Sequence, residues 1–301
     1  MRGTFLKRSA VAAAALAVAT TAAFVAPQAF AGQAPTTAAQ VRASAFAKGP
    51  DPTEQTIKAQ RGPFQIKQLS VAAQSGRGFN RGTIYYPTDT GQGTYGAIAV
   101  IPGFLEPEFI TSWYGPTLAS YGFVVMTLEP FAITDFPDPR SNQLLAAVDW
   151  LAADSPVKAQ VDPNRLAVMG HSMGGGGALL AASKRPSLKA AVPLAPWNLY
   201  ADFAGVTVPT LVIGADNDFI APVGMHADPM YASIKASPNE GYLKLKNADH
   251  FTVNSYSATL TKFTVSWMKR YVDEDTRYTQ FLCPAPQPDP SFASFQMTCP
   301  S

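Results

Sequence analysis

The sequence is poor in charge, in histidine and in cysteine. Of its 301 residues, 15% are charged and 47% are hydrophobic, a balance that excludes an intrinsically disordered chain. The formal net charge is only +2, and no basic stripe or polybasic segment indicates binding to nucleic acid or to an anionic membrane surface. Internal repeats are absent as well. What is left is a chain of globular composition, long enough to bury one sizeable core.

Long apolar runs are also scarce, and the one that stands out lies at the N-terminus. Val11 to Val25 carries no charge and follows a segment with three Lys or Arg residues, and Ala29-Phe30-Ala31 has the small-x-small pattern of a cleavage site. The run is short for a membrane span, so we interpret residues 1–31 as a cleaved signal peptide. Its removal leaves 20 basic and 21 acidic residues, a net charge of −1. We therefore expect a secreted, extracellular protein (periplasmic if the source has an outer membrane) that has no membrane partner.

The segment after this signal, residues 32–52, is rich in Ala, Gln, Thr and Pro and has no apolar rhythm, which predicts a mobile N-terminal leader. Residues 53–301 are then expected to form a single domain. The two cysteines, Cys283 and Cys299, lie close together in the sequence, and in an oxidising compartment such a pair is expected to close a small loop. Neither lies near the motif described below, which excludes a cysteine nucleophile.

Runs of β-branched, aromatic or uninterrupted apolar residues predict eight strands. These strands are expected at 64–71, 82–86, 96–101, 123–128, 165–169, 189–194, 210–214 and 242–245. Helices are predicted at 112–121, 141–153, 173–184, 222–234 and 256–271. The alternation of strands and helices predicts an α/β fold with a doubly wound, mostly parallel sheet and helices on both faces. In such sheets the functional residues lie beyond the carboxyl ends of the strands.

Gly170-His171-Ser172-Met173-Gly174 is the most informative motif of the chain. It has the Gly-x-Ser-x-Gly pattern of the nucleophile elbow of α/β-hydrolases, and it lies between a predicted strand and a predicted helix, as that elbow requires. The turn is so tight that the positions two before and two after the serine must be nearly free of side chain. Ser172 is therefore the predicted nucleophile, held at a helix N-terminus where negative charge on oxygen is stabilised.

A serine hydroxyl needs a neighbouring base, which is usually histidine, and this chain has three. His171 is expected to point away from Ser172 and to line the cleft. His226 lies on a predicted helix, where a surface or cleft-wall role suits it. His250 directly follows the late strand 242–245, so we predict that it is the general base.

The base in turn needs an acid, which follows the serine and precedes the histidine in the chain order of this fold. Asp216 and Asp218 both lie in the loop after strand 210–214. Physical reasoning alone does not separate them, although Asp218 is nearer to the start of the next helix. The oxyanion formed during ester attack needs two N–H donors. Those of Met173, the residue after the nucleophile, and of Phe104, in the loop after strand 96–101, are the candidates.

These residues and several longer segments make the chain resemble the bacterial cutinases and polyester hydrolases of actinomycetes, which include enzymes that degrade poly(ethylene terephthalate). The resemblance runs from about residue 49 to residue 299. It rests on Gly-Pro-Asp-Pro (49–52), Ile-Pro-Gly-Phe (101–104), Gly-His-Ser-Met-Gly-Gly-Gly-Gly (170–177), Leu-Ala-Pro-Trp-Asn (194–198), Ile-Ala-Pro-Val (220–223) and Asp-Thr-Arg-Tyr-Thr-Gln-Phe-Leu-Cys (275–283).

The resemblance implies an α/β-hydrolase catalytic domain without a lid domain, a catalytic triad, an oxyanion hole, a substrate cleft and a disulfide bond. The implied residues are Ser172, Asp218 and His250 for the triad, Phe104 and Met173 for the oxyanion hole, Phe104, Trp197, His171 and Ile220 for the cleft, and Cys283 with Cys299 for the disulfide. Some relatives bind calcium near the loop of the triad acid, but Lys246 stands where an acid would be expected, so we predict no metal site. A serine triad needs no cofactor.

The sequence therefore predicts a secreted serine ester hydrolase that cleaves cutin-like and aromatic polyesters as well as short-chain esters. No long apolar insertion is present that would form a lipase lid. A lipase or carboxylesterase that acts mainly on soluble acyl esters is the alternative. A peptidase, and a non-catalytic surface-binding protein on a hydrolase scaffold, rank lower, the latter because its mark would be a broken triad. We expect a monomer without a nucleic-acid partner.

Overall fold

A computed structural model describes residues 44–74, 77–200, 202–284 and 289–299 of the chain. The predicted signal peptide (1–31) and residues 32–43 of the predicted leader lie outside these ranges. Within them, no helix is long and apolar enough to cross a membrane.

Nine strands of the described residues form one sheet. They are β1 (Ile66–Val71), β2 (Arg81–Pro87), β3 (Tyr95–Ile101), β4 (Phe123–Glu129), β5 (Val161–His171), β6 (Ala190–Leu194), β7 (Thr210–Ala215), β8 (Glu240–Leu245) and β9 (Phe292–Met297). Their order across the sheet is β1-β2-β4-β3-β5-β6-β7-β8-β9. The six central strands, β4 to β8 in this order, are parallel, and β1, β2 and β9 add antiparallel edges. The mostly parallel α/β sheet predicted from the sequence is confirmed.

Five α-helices cover the two faces of this sheet. They are α1 (Tyr114–Ser120), α2 (Pro137–Ala153), α3 (Met173–Lys184), α4 (Ala227–Ser233) and α5 (Ala258–Tyr271). In β3 every residue is buried, because Ile98 and Val100 pack towards α1 and α5 whereas Ala97 and Ala99 pack towards α2 and α3. Burial on both faces explains why the central strands are continuous apolar runs in the sequence.

The predicted strands lie within two residues of the observed ones, except that β5 begins four residues earlier than expected and β9 was not predicted. Helix α2 begins at Pro137, not at Ser141, because proline is tolerated in the first helical turn. Helix α4 begins at Ala227 instead of Pro222, since residues 222–226 form turns closed by the N–H groups of Met225 and His226 on the carbonyl of Pro222.

Both ends of the described chain contact the domain. Lys48 is buried, the Ser44 hydroxyl donates to the backbone oxygen of Asp273 at 2.5 Å, and Arg277 donates to the carbonyl of Gly49 at 3.3 Å. The disulfide bond between Cys283 and Cys299 is present, as predicted, and ties the end of β9 to the turn that precedes it.

Candidate active site

The turn from β5 to α3 places Ser172 at the first turn of a helix. Its backbone has φ 55° and ψ −119°, a conformation that is costly for a residue with a side chain, on the order of 1–3 kcal/mol. The two glycines of the motif make this turn possible. A Cβ on Gly170 would lie 2.2 Å from the carbonyl oxygen of Gly174, and one on Gly174 would lie 2.5 Å from that of Ile101. The structure therefore has the strained strand–turn–helix arrangement of a nucleophile elbow, with the serine at the tip of the turn.

The loops after β7 and β8 bring Asp218 and His250 together. Nδ1 of His250 lies 2.6 Å from Oδ2 of Asp218, and both side chains are at least nine-tenths buried. The other carboxylate oxygen of Asp218 accepts the backbone N–H groups of Ile220 and Ala221 at 2.9 and 2.7 Å. The carboxylate is thus fixed on three sides, and it fixes the imidazole of His250.

The charge on Asp218 decides which nitrogen of His250 carries the proton. Burial acts to raise the pKa of Asp218, but the hydrogen bonds from His250 and from two backbone N–H groups outweigh it and hold that pKa below its usual range. An ionised carboxylate only accepts, so Nδ1 of His250 donates and Nε2 is left with a lone pair. Among the described residues, Nε2 has no hydrogen-bond partner, and His250 and Ser172 line the same groove. This tautomer is the one a general base requires.

Asp216 and Asp218, which sequence reasoning could not separate, have different surroundings. Within the described residues, Asp216 forms no hydrogen bond with a histidine, and its Oδ1 accepts the backbone N–H of Ala248 at 3.2 Å. It therefore supports the loop that carries His250, whereas Asp218 contacts the imidazole itself.

The loop after β3 lies directly against Ser172. A Cβ on Gly103 would meet the Cβ of Ser172 at 2.7 Å, so only glycine allows this approach. The backbone N–H of Phe104, the next residue, has no partner among the described residues, and the N–H of Met173 is unpaired within α3 because it opens that helix. Two free donors beside the serine are what an oxyanion hole consists of.

Arg140 of α2 anchors this loop, although no motif in the sequence singles it out. Its guanidinium is buried and donates to the backbone oxygens of Pro102, Ile133 and Asp135 at 2.8–2.9 Å. Burial lowers the pKa of Arg140 to about 10, which leaves it charged at neutral pH. The arginine therefore joins the loop after β3 to the loop after β4.

An open groove of about 730 Å³ runs past Ser172 and His250. Phe104 and Ile220, both predicted to bind substrate, line it and are 39% and 52% exposed. Trp197 lies beside the groove instead of lining it, and Phe136 bridges it to Phe104 with ring centroids 6.0 and 6.5 Å apart. Phe136 was not predicted as a site residue.

Exposed apolar side chains are concentrated in the loops at the end of the sheet that carries this groove. All thirteen large hydrophobic residues that are exposed in the described chain follow the carboxyl ends of β3, β4, β6, β7 and β8. This apolar rim consists of Phe104, Leu105, Phe109, Phe131, Ile133, Phe136, Leu199, Tyr200, Phe219, Ile220, Met225, Phe251 and Tyr256. Such a concentration on one end of a protein marks a surface that contacts an apolar partner or substrate.

The other two histidines lie behind the groove. His226 is buried, caps α4, and contacts the backbone oxygen of Asn198 at 3.2 Å. His171 was predicted to line the cleft, but in the structure its side chain is fully buried. Its Nδ1 lies 2.7 Å from Oε2 of Glu106, which holds the ring next to His250. Sequence reasoning missed Glu106, whose one signal is its position two residues after Phe104.

Comparisons with known proteins identify the family of this chain. The profile of a family described as PET hydrolase-like matches residues 40–300. A bis(hydroxyethyl) terephthalate hydrolase of Streptomyces coelicolor is 49% identical over 262 residues, which cover 87% of this chain and 84% of the relative. Cutinase 1 of Thermobifida cellulosilytica is 48% identical over 263 residues, or 86% of this chain and 99% of the relative. A cutinase of Thermobifida fusca is also 48% identical over 263 residues, covering 86% of each chain. This chain belongs to the PET hydrolase-like family of α/β-hydrolases.

Proposed function

We propose that this protein is a secreted serine ester hydrolase that cleaves polyesters through an acyl-enzyme on Ser172. The observation that carries the proposal is that Ser172 and His250 line one open groove. Oδ2 of the buried Asp218 lies 2.6 Å from Nδ1 of His250. Relatives named cutinase and bis(hydroxyethyl) terephthalate hydrolase support ester hydrolysis as the reaction.

The residues of the site have distinct roles in this reaction. His250 Nε2 takes the hydroxyl proton of Ser172 as Oγ attacks the ester carbonyl carbon, and Asp218 stabilises the imidazolium that results. The carbonyl oxygen becomes an oxyanion that accepts the N–H groups of Phe104 and Met173. The C–O bond to the alcohol then breaks, and His250 gives its proton to the leaving oxygen. Water, deprotonated by the same histidine, attacks the acyl-enzyme, and a second oxyanion collapses to release the acid and Ser172.

The apolar rim supports a polymeric, insoluble substrate. A small soluble ester fits within the groove and needs no apolar surface outside it. A polyester film or a cutin-like layer instead contacts the whole end of the molecule that carries the groove. Burying exposed apolar side chains against such a surface is favourable, roughly 25 cal/mol per Å². The rim therefore offers adsorption next to the reacting serine.

A hydrolase of small soluble esters is the second candidate. It is favoured by the name of the Streptomyces coelicolor relative, since bis(hydroxyethyl) terephthalate is a small aromatic diester. The aromatic set of Phe104, Phe136 and Trp197 beside the groove suits an aromatic acyl unit in either case.

We further propose that export removes residues 1–31, that 32–52 form a leader whose described part packs on the domain, and that 53–301 are the catalytic domain, active as a monomer. The disulfide between Cys283 and Cys299 supports an oxidising compartment. N-terminal sequencing of protein recovered from the culture medium should begin at Gly32. Recovery of unprocessed chain inside the cells alone would argue against export.

The test of the function is release of soluble acids from two films, an amorphous aromatic polyester and a cutin-like aliphatic polyester. The wild-type protein is compared with Ser172→Ala, and a short-chain nitrophenyl ester serves as the activity control. We expect serine-dependent release from the films and loss of all three activities in the variant. Cleavage of the soluble ester with both films intact would establish the second candidate. Activity retained in a clean Ser172→Ala preparation would refute the serine mechanism.

A further inference from the structure

A second histidine–carboxylate pair lies directly behind the proposed triad. Nδ1 of His171 is 2.7 Å from Oε2 of Glu106, and the two side chains are 0% and 9% exposed. The imidazole centroids of His171 and His250 are 4.6 Å apart. This pair is not part of the mechanism above, and a buried pair of ionisable groups so close to a reacting centre needs a physical account.

Hydrogen-bond accounting gives the charge state of the pair. Nε2 of His171 lies 2.9 Å from the backbone oxygen of His250, which can only accept. Burial acts to raise the pKa of Glu106, but the hydrogen bonds from His171 and from the backbone N–H of Gly103 hold it below its usual range. Glu106 is therefore an ionised acceptor. Both ring nitrogens of His171 face acceptors, so both donate, and the ring is an imidazolium.

The other groups around the pair agree with this assignment. Nδ2 of Asn254 donates to Oε1 of Glu106 at 3.1 Å and lies 3.2 Å from Nδ1 of His171, so the two donors share one carboxylate. The charged groups nearby are Arg140, whose pKa Glu106 acts to raise, and Asp218 with His250. Within the described residues, Glu106 is the only carboxylate that contacts His171.

Glu106 also shapes the loop that carries the predicted oxyanion donor. Its N–H donates to the carbonyl of Gly103 at 3.3 Å, which closes a turn with Phe104 and Leu105 at its centre. Its carboxylate accepts the N–H of Gly103 at 2.5 Å. Leu105 has φ 59°, a left-handed conformation that costs a leucine roughly 1–2 kcal/mol. The turn therefore needs anchors, and the Glu106 carboxylate supplies one beside the free N–H of Phe104.

We propose that Glu106 and His171 are positioning residues. Their ion pair holds the loop after β3, which carries the predicted oxyanion donor, and the backbone of His250 in fixed positions relative to Ser172. The carboxylate fixes Gly103, and the imidazolium fixes the carbonyl of His250, so one pair joins the two loops between which the ester reacts. Neither residue exchanges a proton with substrate. This inference rests on the proposed serine mechanism, in which His250 is the base and Phe104 donates to the oxyanion.

The first test observes the histidines of the wild-type protein, and a variant serves only to assign their signals. With three histidines in the chain, ¹H–¹⁵N spectra of the imidazoles resolve each ring, and the signals of His171 are identified by their loss in His171→Gln. At pH 7 we expect protons on both nitrogens of His171 and on Nδ1 alone of His250. A single ring proton on His171 would overturn the proposal, whatever the activity of any variant.

The second test is Glu106→Gln, which keeps the shape of the side chain and removes its charge. We expect kcat for the soluble nitrophenyl ester to fall about 10-fold with KM within twofold, because displacements of an ångström or less cost up to about 100-fold. The double variant with His171→Gln should be no slower than the slower single variant, since the two residues act as a unit. Glu54→Gln, the same change in a solvent-exposed ion pair, is the control and should match wild type.

The outcomes separate this inference from the proposed function. An inactive Ser172→Ala beside a Glu106→Gln of normal kcat would overturn the positioning role alone. Additive losses in the double variant would also overturn it, because the effects of two independent residues on the activation free energy add. An active Ser172→Ala would remove the mechanism on which both proposals rest.

Discussion

Two histidine–carboxylate pairs lie side by side at one groove, and they use their ring nitrogens differently. His250 gives Nδ1 to Asp218 at 2.6 Å, and its Nε2 has no partner among the described residues. His171 gives Nδ1 to Glu106 at 2.7 Å and Nε2 to the carbonyl of His250 at 2.9 Å. Contact with a carboxylate therefore does not identify a general base. The free second nitrogen does, because a base must accept a proton from the nucleophile.

The largest expected effect comes from replacing each of the two histidines in turn. His250→Gln should lower kcat/KM for the soluble ester by about 10⁴-fold or more, since it removes the base itself. His171→Gln should lower it about 10-fold, since it disturbs only position. Circular dichroism and urea unfolding establish that both variants are folded. A folded His171→Gln as inactive as His250→Gln would erase the distinction between the pairs.

The next effect separates the two aspartates of one loop. Asp218→Asn should lower kcat by about 10³- to 10⁴-fold, because an amide that donates to His250 forces the wrong tautomer. Asp216→Asn keeps an oxygen for the N–H of Ala248 and should stay within a few-fold of wild type. Steady-state kinetics on the soluble ester measures both. The opposite ranking would make Asp216 the acid.

A smaller effect distinguishes the apolar rim from the groove. Phe219 and Met225 are 90% and 70% exposed and do not line the groove. Replacing both with Ser should lower hydrolysis of the polyester film about fivefold by weakening adsorption, because burying a large apolar side chain contributes about 1.5–3 kcal/mol when complete. Turnover of the soluble ester should not change. Equal loss on film and soluble ester would show that these residues support the fold and not adsorption.

The smallest effect is on stability and depends on pH. The pKa of Glu106 is lower in the folded protein than its ordinary value, so its contribution to stability is complete above that ordinary value and is lost as the pH falls through the folded pKa. The difference in free energy of unfolding between wild type and Glu106→Gln should therefore be larger at pH 7 than at pH 3. Urea unfolding at both pH values measures it. A difference independent of pH would mean that the carboxylate is not ionised in the folded state.

Local sequence signals were sufficient for most of the fold. Buried parallel strands are apolar without interruption, so β3 and β4 could be located from composition alone. The edge strand β9 could not, because all its residues are exposed or half-buried and its pairing with β8 is a tertiary event. The start of α2 was misplaced because Pro137 and Pro139 read as turn residues, although both fit a first helical turn.

The residues of the candidate site likewise differ in whether the sequence alone could identify them. Ser172 has a motif and His250 a position after a strand, so each could be proposed from its neighbours in the sequence. The choice of Asp218 over Asp216 needed family resemblance. Glu106 lies 65 residues from His171, and nothing in the sequence joins them until the loop after β3 meets the end of β5. Its role is visible only in the folded molecule.

The most direct measurement of the central claim is the rate at which diethyl nitrophenyl phosphate labels the protein, followed by the mass of the intact chain and of its peptides. An activated serine displaces nitrophenolate from phosphorus, so the account predicts one diethylphosphoryl group, on Ser172. Labelling should persist in His171→Gln and slow by 10³-fold or more in His250→Gln, an order of magnitude expected for loss of the base. Label on another residue, or an unchanged rate in His250→Gln, would contradict the account.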